Sequence, residues 1–150
     1  MADGRAEACP VPDAVVEELL GWIAANTGYD VAKTAANMPS IETCASGEII
    51  DYAHEKTIVD EGIKGLYDFD ARRIFLVEPW DLADPADLGV LLHELVHAVQ
   101  LDNRPWECVG APEWEAYKLH EAWLNERGLT GDFDWLQVYF NARCPRDIHP

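Results

Sequence analysis

The stretch DPADLGVLLHELVHAVQLDN, residues 84–103, decides the fold of this chain. Its first residues predict a helix start, because Asp84 is a good N-cap, Pro85 suits the first helical position and Asp87 falls in the first turn. Apolar residues then occur on nearly every side of the helix as far as about Leu101. A helix that is apolar all round is buried, so we expect this one to lie at the centre of the domain.

Two histidines and a glutamate interrupt this apolar helix in the pattern H-E-x-x-H. His93 and His97 are four residues apart, which places both rings on one face about one turn apart. Two imidazoles and a carboxylate suit Zn²⁺ in a tetrahedral site. Glu94 is too close to His93 to ligate comfortably, but beside the open position of the metal it can take a proton from a water.

The alternative is a purely structural role for these three residues. His93 and His97 would then be core histidines hydrogen-bonded to the backbone, and Glu94 would lie at the surface. Burying such groups is costly unless something pairs them, so the pattern favours a zinc site with Glu94 as general base.

A zinc site of this kind needs a third protein ligand. The histidine that follows in H-E-x-x-H-x-x-G-x-x-H is absent, because that position is Asn103. The next predicted helix offers Glu113 and Glu115. These two are about 200° apart around a helix, so only one of them faces the metal easily, and the spacing leaves both as candidates.

H-E-x-x-H followed by E-x-x-A on a later helix resembles the zincin metallopeptidases that use a glutamate as third ligand. In several such families that ligand is the Glu three residues before a small Ala, and Glu113 with Ala116 matches this pattern. The two stretches are also similar to small, uncharacterised bacterial proteins of the metallopeptidase class. In these the EAY stretch recurs, which keeps Glu115 as the alternative ligand. The resemblance covers residues 63–127.

The resemblance implies a minimal zincin-like α+β domain, in which a small antiparallel or mixed sheet packs on a central H-E-x-x-H helix with further helices. It implies a zinc-dependent peptidase that cleaves peptide bonds with a water activated by Glu94. It also implies that RRIFLV, residues 72–77, is an edge strand that lines the cleft and pairs with the substrate backbone.

Three further polar residues lie near the motif. Tyr117 is one turn after Glu113 and can stabilise an oxyanion, although a packed aromatic is the alternative. His120 can orient or protonate a group, but the favoured interpretation is a solvated helix histidine. Gln100, three residues after His97, fits either a partner of a metal ligand or a helix-end cap.

Two other classes of function fit the same residues. One is a zinc-containing binding or regulatory module with little or no general proteolytic activity. The other is a structural zinc site, which is closed by four protein ligands and therefore needs Glu115 or His120 to reach the metal.

The length of 150 residues predicts a single domain over residues 1–150. Residues 12–27, PDAVVEELLGWIAANT, have a helical apolar pattern. Residues 62–81 hold two runs rich in β-branched and aromatic residues around a polar turn, which predicts a hairpin. Residues 29–56 are ambiguous. Further helices are predicted over residues 112–128 and 132–143.

Charge excludes some classes of partner. The formal net charge is −17, with 11 basic against 28 acidic residues, which argues against nucleic acid and against an anionic membrane surface. Basic peptides or proteins are the partners that this charge attracts, although solubility is the simpler explanation. No apolar run approaches the roughly 20 residues that a membrane-spanning helix needs.

Four dispersed cysteines bear on the compartment. Two disulfides, Cys9–Cys44 and Cys108–Cys144, are the expected pairing among three connectivities, and they suit a secreted or periplasmic protein. Four buried thiols in a cytoplasmic protein are the alternative. Residues 1–10 lack the apolar core of a signal peptide, which fits a mature secreted chain with an added Met or a native cytoplasmic start.

Overall fold

A computed structural model describes residues 11–145, which form five helices and five strands. In chain order the elements are α1 (Asp13–Asn26), α2 (Ala32–Ala36), β1 (Ser40–Ala45), β2 (Ile49–Tyr52), β3 (Glu55–Ile58), β4 (Gly65–Asp68), β5 (Arg73–Glu78), α3 (Pro85–Asn103), α4 (Glu113–Asn125) and α5 (Trp135–Ala142).

The strands form two small sheets. The larger has the order β1-β5-β4, in which β5 is parallel to β1 and antiparallel to β4. The smaller is the antiparallel pair β2–β3. The β4–β5 pair confirms the hairpin predicted within residues 62–81, and this mixed sheet with its helices confirms the α+β class.

The prediction that residues 72–77 form an edge strand is wrong. Most of these residues belong to β5, which is the central strand and is paired on both sides. Its partner β1 comes from the ambiguous residues 29–56, in the register Ser40 opposite Arg73. Four successive residues of β5 are buried, as is typical of a strand covered on both faces. The edge strand on the side of α3 is therefore β4.

Helix α3 is the central element that its sequence predicted. The side chain of Asp84 caps it by accepting a hydrogen bond from the backbone N–H of Ala86 at 2.9 Å. The helix packs against α1, α2 and α4 and against strands β4 and β5. Leu91, Leu92 and Leu95 are fully buried, and each such burial stabilises the fold by about 1.5–3 kcal/mol.

Among residues 11–145, no helix is long and apolar enough to cross a membrane.

The disulfide Cys108–Cys144 joins the loop between α3 and α4 to the chain just after α5, and it confirms that predicted pair. Cys44 is different, because it carries a free thiol buried in an apolar cluster with Phe75 and Val77. The other expected bond joins Cys44 to Cys9, and Cys9 lies outside the described residues.

Candidate metal centre

Helices α3 and α4 bring together three of the predicted ligands. His93 and His97 lie on successive turns of α3, and Glu113 is the first residue of α4. Oε1 of Glu113 is 3.2 Å from Nε2 of His93 and 3.1 Å from Nε2 of His97. The ligand atoms of the three residues all lie within 4.8 Å of one another.

Glu115, the alternative third ligand, is not part of this cluster. Its Oε1 accepts hydrogen bonds from the Tyr29 hydroxyl at 2.6 Å and from Nε2 of Gln100 at 2.8 Å. Residues two positions apart point about 200° apart around a helix. This explains why Glu113 faces the histidines and Glu115 faces away from them.

Glu113 and His97 shift the pKa of each other. Burial raises the pKa of Glu113, but the hydrogen bonds from His93 and His97 outweigh burial and hold that pKa well below its ordinary value. Burial lowers the pKa of His97, and Glu113 outweighs it in the opposite direction, so the net shift is upward. A carboxylate held in its charged form between two imidazoles is an anionic donor set for a metal ion.

Glu94 is buried beside this cluster, and the interpretation that places it at the surface is wrong. Burial raises the pKa of its carboxyl group. The edge strand β4 comes very close to it: a Cβ atom added at Gly65 would lie 3.1 Å from Oε2 of Glu94 and 2.8 Å from Cγ1 of Val90. A glycine is therefore needed where the strand passes the carboxylate.

Two cavities meet at Glu94. A cavity of about 500 Å³ lies between the start of β4, α3, α4 and residues 129–133. A smaller one of about 170 Å³ lies toward β2 and the loop before α4. Both are lined by Gly65, Leu66, His93, Glu94 and Tyr117.

Tyr117 lies at the boundary of the two cavities. Its ring packs edge-to-face on His93, with ring centroids 4.4 Å apart. Burial raises the pKa of its phenol, and Glu113 and Glu94 raise it further, so the hydroxyl keeps its proton. The ring packing confirms the packed aromatic interpretation of Tyr117, and its role toward an oxyanion stays a prediction.

His120 is buried, so the favoured interpretation as a solvated histidine is wrong. Its Nδ1 is 3.2 Å from Nδ1 of His93, on the side of the His93 ring that faces away from Glu113. Burial lowers the pKa of His120 to about 3, and nearby His93 lowers it as well. A close helix contact allows this position, since a Cβ atom at Gly89 would lie 2.9 Å from Nε2 of His120.

The chain belongs to the family described as "Domain of unknown function (DUF6647)". The family model matches residues 8–150. No curated protein and no solved structure matches the chain. Residues of the site itself are therefore the guide to function.

Two tyrosines near the site were missed by the sequence analysis. Tyr52 lines the smaller cavity, and burial followed by the charge of Glu94 raises its pKa to about 12. Tyr29 hydrogen-bonds Glu115, as described above. Both come from residues 29–56, where only the β-rich run IIDY before the turn at Ala53 gave a signal for a strand.

The other two histidines are not part of the cluster. His54 is exposed on the β2–β3 turn, 3.3 Å from the carboxylate of Asp70. His149 lies outside the described residues.

Proposed function

We propose that the protein is a zinc-dependent metallopeptidase, in which His93, His97 and Glu113 hold the metal and Glu94 is the general base. The observation that carries the proposal is the buried His93–His97–Glu113 cluster with Glu94 beside it, at the meeting point of two cavities. A general base needs both features, because it must lie close to the metal and be reached by substrate.

The residues present fit a zinc ion. Zinc bonds to nitrogen and oxygen are about 2.0–2.1 Å long, so neighbouring ligand atoms of a tetrahedral site are about 3.3 Å apart. The separations of 3.2 and 3.1 Å from Glu113 Oε1 to the two Nε2 atoms are close to this value. Three protein ligands with one open position form the usual donor set of catalytic zinc.

The cluster of described residues offers three ligands, one fewer than a closed site needs, which also supports catalysis over a structural zinc site. A closed site needs a fourth protein ligand, and Glu115 and His120 were its two candidates. Glu115 is hydrogen-bonded to Tyr29 and Gln100, and His120 faces the far nitrogen of His93.

The residues divide the chemistry among them. A bound zinc ion supplies Lewis-acid chemistry, since it polarises a carbonyl group and makes water more acidic. Glu94 takes the proton of the attacking water and passes it to the leaving amine, a task that its burial-raised pKa favours. Tyr117 would donate a hydrogen bond from its hydroxyl group to the negative charge that develops on the carbonyl oxygen.

Substrate and location complete the proposal. The substrate is a peptide or protein, and the net charge of −17 favours basic ones. The Cys108–Cys144 disulfide supports a secreted or periplasmic location, because such bonds persist in oxidising compartments.

The test measures zinc content and peptide hydrolysis together. We expect about one zinc per chain in the wild type. Glu94→Gln should keep zinc and lose activity by about 10²–10⁴-fold, because only the proton transfer is removed. Glu113→Ala should lose zinc, whereas Glu18→Gln, an exposed change on α1, should leave both quantities unchanged. Full hydrolysis by zinc-loaded Glu94→Gln, or no zinc in the wild type, would contradict the proposal.

A further inference from the structure

Gln100 is fully buried between the metal cluster and α4, and its hydrogen bonds fix which way its amide points. Its Nε2 is 3.0 Å from the backbone carbonyl of Pro112 and 2.8 Å from Oε1 of Glu115. A carbonyl and a carboxylate only accept hydrogen bonds, so the NH₂ group of Gln100 has to be on this side.

The opposite end of the same amide faces His97. Oε1 of Gln100 is 2.9 Å from Nδ1 of His97. An amide oxygen only accepts, so this contact is a hydrogen bond when Nδ1 of His97 carries a proton. Without a metal, the Glu113 carboxylate at 3.1 Å competes for the ring proton at Nε2, whereas a metal held by Nε2 would leave the proton on Nδ1.

Tyr29 keeps Glu115 in the accepting role. Its hydroxyl donates to Oε1 of Glu115 at 2.6 Å. Burial raises the pKa of Tyr29, and so does the hydrogen bond to Glu115, so the phenol remains protonated. The contacts therefore form one directed line of hydrogen bonds, Tyr29 to Glu115, Gln100 to Glu115 and His97 to Gln100.

We propose that Tyr29, Glu115 and Gln100 are positioning residues that hold His97 in its Nδ1–H tautomer and so present Nε2 as a metal ligand. The inference rests on the proposed function, because a metal on Nε2 is what ends the competition of Glu113 for the His97 proton. Glu115, the rival third ligand, acts through Gln100 and does not touch the metal. Partners of this kind raise metal affinity by orienting the ring and removing the cost of changing its tautomer.

The positioning is measurable in the zinc-loaded protein by ¹H–¹⁵N NMR of the histidine ring nitrogens. We expect a His97 Nδ1–H signal that exchanges slowly with water, because its proton is hydrogen-bonded to Gln100. Gln100→Leu and Glu115→Leu should speed this exchange and weaken zinc binding by about 10–100-fold in a chelator competition. Unfolding curves and the His93 signal, which depends on His120 instead, control for general damage to the fold.

Conservative variants separate positioning from a merely structural role. Glu115→Gln keeps an oxygen that accepts from Gln100 and Tyr29, so it should preserve the slow exchange of His97 Nδ1–H and most of the zinc affinity. Wild-type zinc affinity or an unchanged His97 Nδ1–H signal in folded Gln100→Leu would overturn the proposal. A wild type that binds no zinc would instead overturn the proposed function.

Discussion

In the proposed metal site His93 and His97 are both ligands, but different residues hold their rings in place. Each uses Nε2 toward Glu113 and engages a buried partner through Nδ1, which is His120 for His93 and Gln100 for His97. An amide oxygen is an unambiguous acceptor, whereas a second imidazole accepts only in its neutral form. Burial lowers the pKa of His120 to about 3, which leaves the ring neutral near pH 7.

His120 should therefore contribute to metal binding without touching the metal. Replacing it by Phe keeps a buried ring but removes the nitrogen that faces His93. We expect zinc affinity to fall by about 10–100-fold, as measured by competition with a chelator. The matched control is His54→Phe on the exposed β2–β3 turn, which should bind zinc like the wild type. Equal zinc affinity in folded His120→Phe would show that His93 needs no such partner.

At the scale of elements, helices and tight turns could be predicted from neighbouring residues, whereas the pairing of distant strands could not. The caps and apolar pattern of α3 are contained within residues 84–103, so its bounds and burial were predictable. The same holds for the turn of the β4–β5 hairpin. The position of β5 in the sheet depends on β1, more than 25 residues earlier, and a short strand of that kind leaves no trace in the sequence of its partner.

The residues of the site also differ in whether the sequence alone could predict them. H-E-x-x-H and the spacing to α4 gave His93, Glu94, His97 and the pair of candidate glutamates from sequence alone. The choice of Glu113 depends on the rotation of α4 against α3, which the spacing did not fix. Burial of His120 depends on the close contact at Gly89, which no local pattern reveals.

The contact between β4 and α3 should be sensitive to one methyl group. In Gly65→Ala the new Cβ would overlap Val90 and press on Glu94, so the strand has to move outward. We expect a loss of about 1–3 kcal/mol in the free energy of unfolding, measured with urea, together with reduced hydrolysis. Gly21→Ala is the control, because that helix position has open space and should gain about 0.5–1 kcal/mol. Wild-type stability in Gly65→Ala would contradict a close contact between β4 and α3 at this position.

At the scale of the whole molecule, one covalent bond holds the C-terminal helix to the loop that presents Glu113. The Cys108–Cys144 bond spans 36 residues of sequence and encloses both α4 and α5. Gly110 in the same loop packs against the backbone carbonyl of Asn141, so the loop and the end of α5 fit closely together.

Removing this bond should destabilise the protein. A loop of this length corresponds to about 3–4 kcal/mol of stabilisation through the entropy of the unfolded chain. We expect the Cys108→Ser, Cys144→Ser double variant to lose about 2–4 kcal/mol in urea unfolding. A reducing agent should have the same effect on the wild type and little effect on the double variant. If reduction leaves the unfolding midpoint of the wild type in place, the bond contributes nothing to stability.

The hairpin β2–β3 contacts the outer edge of strand β4. The backbone N–H of Val77 donates to the carbonyl of Lys64, so at the next pair the N–H and C=O of Gly65 point away from β5 and toward the open edge of the sheet. Two residues further along, the Tyr52 hydroxyl already occupies the carbonyl of Tyr67, and the Asp68 carboxylate holds the backbone N–H of Ala53. In the proposed peptidase, a substrate that pairs with β4 would be blocked by the hairpin beyond Gly65 and would have to end or bend there.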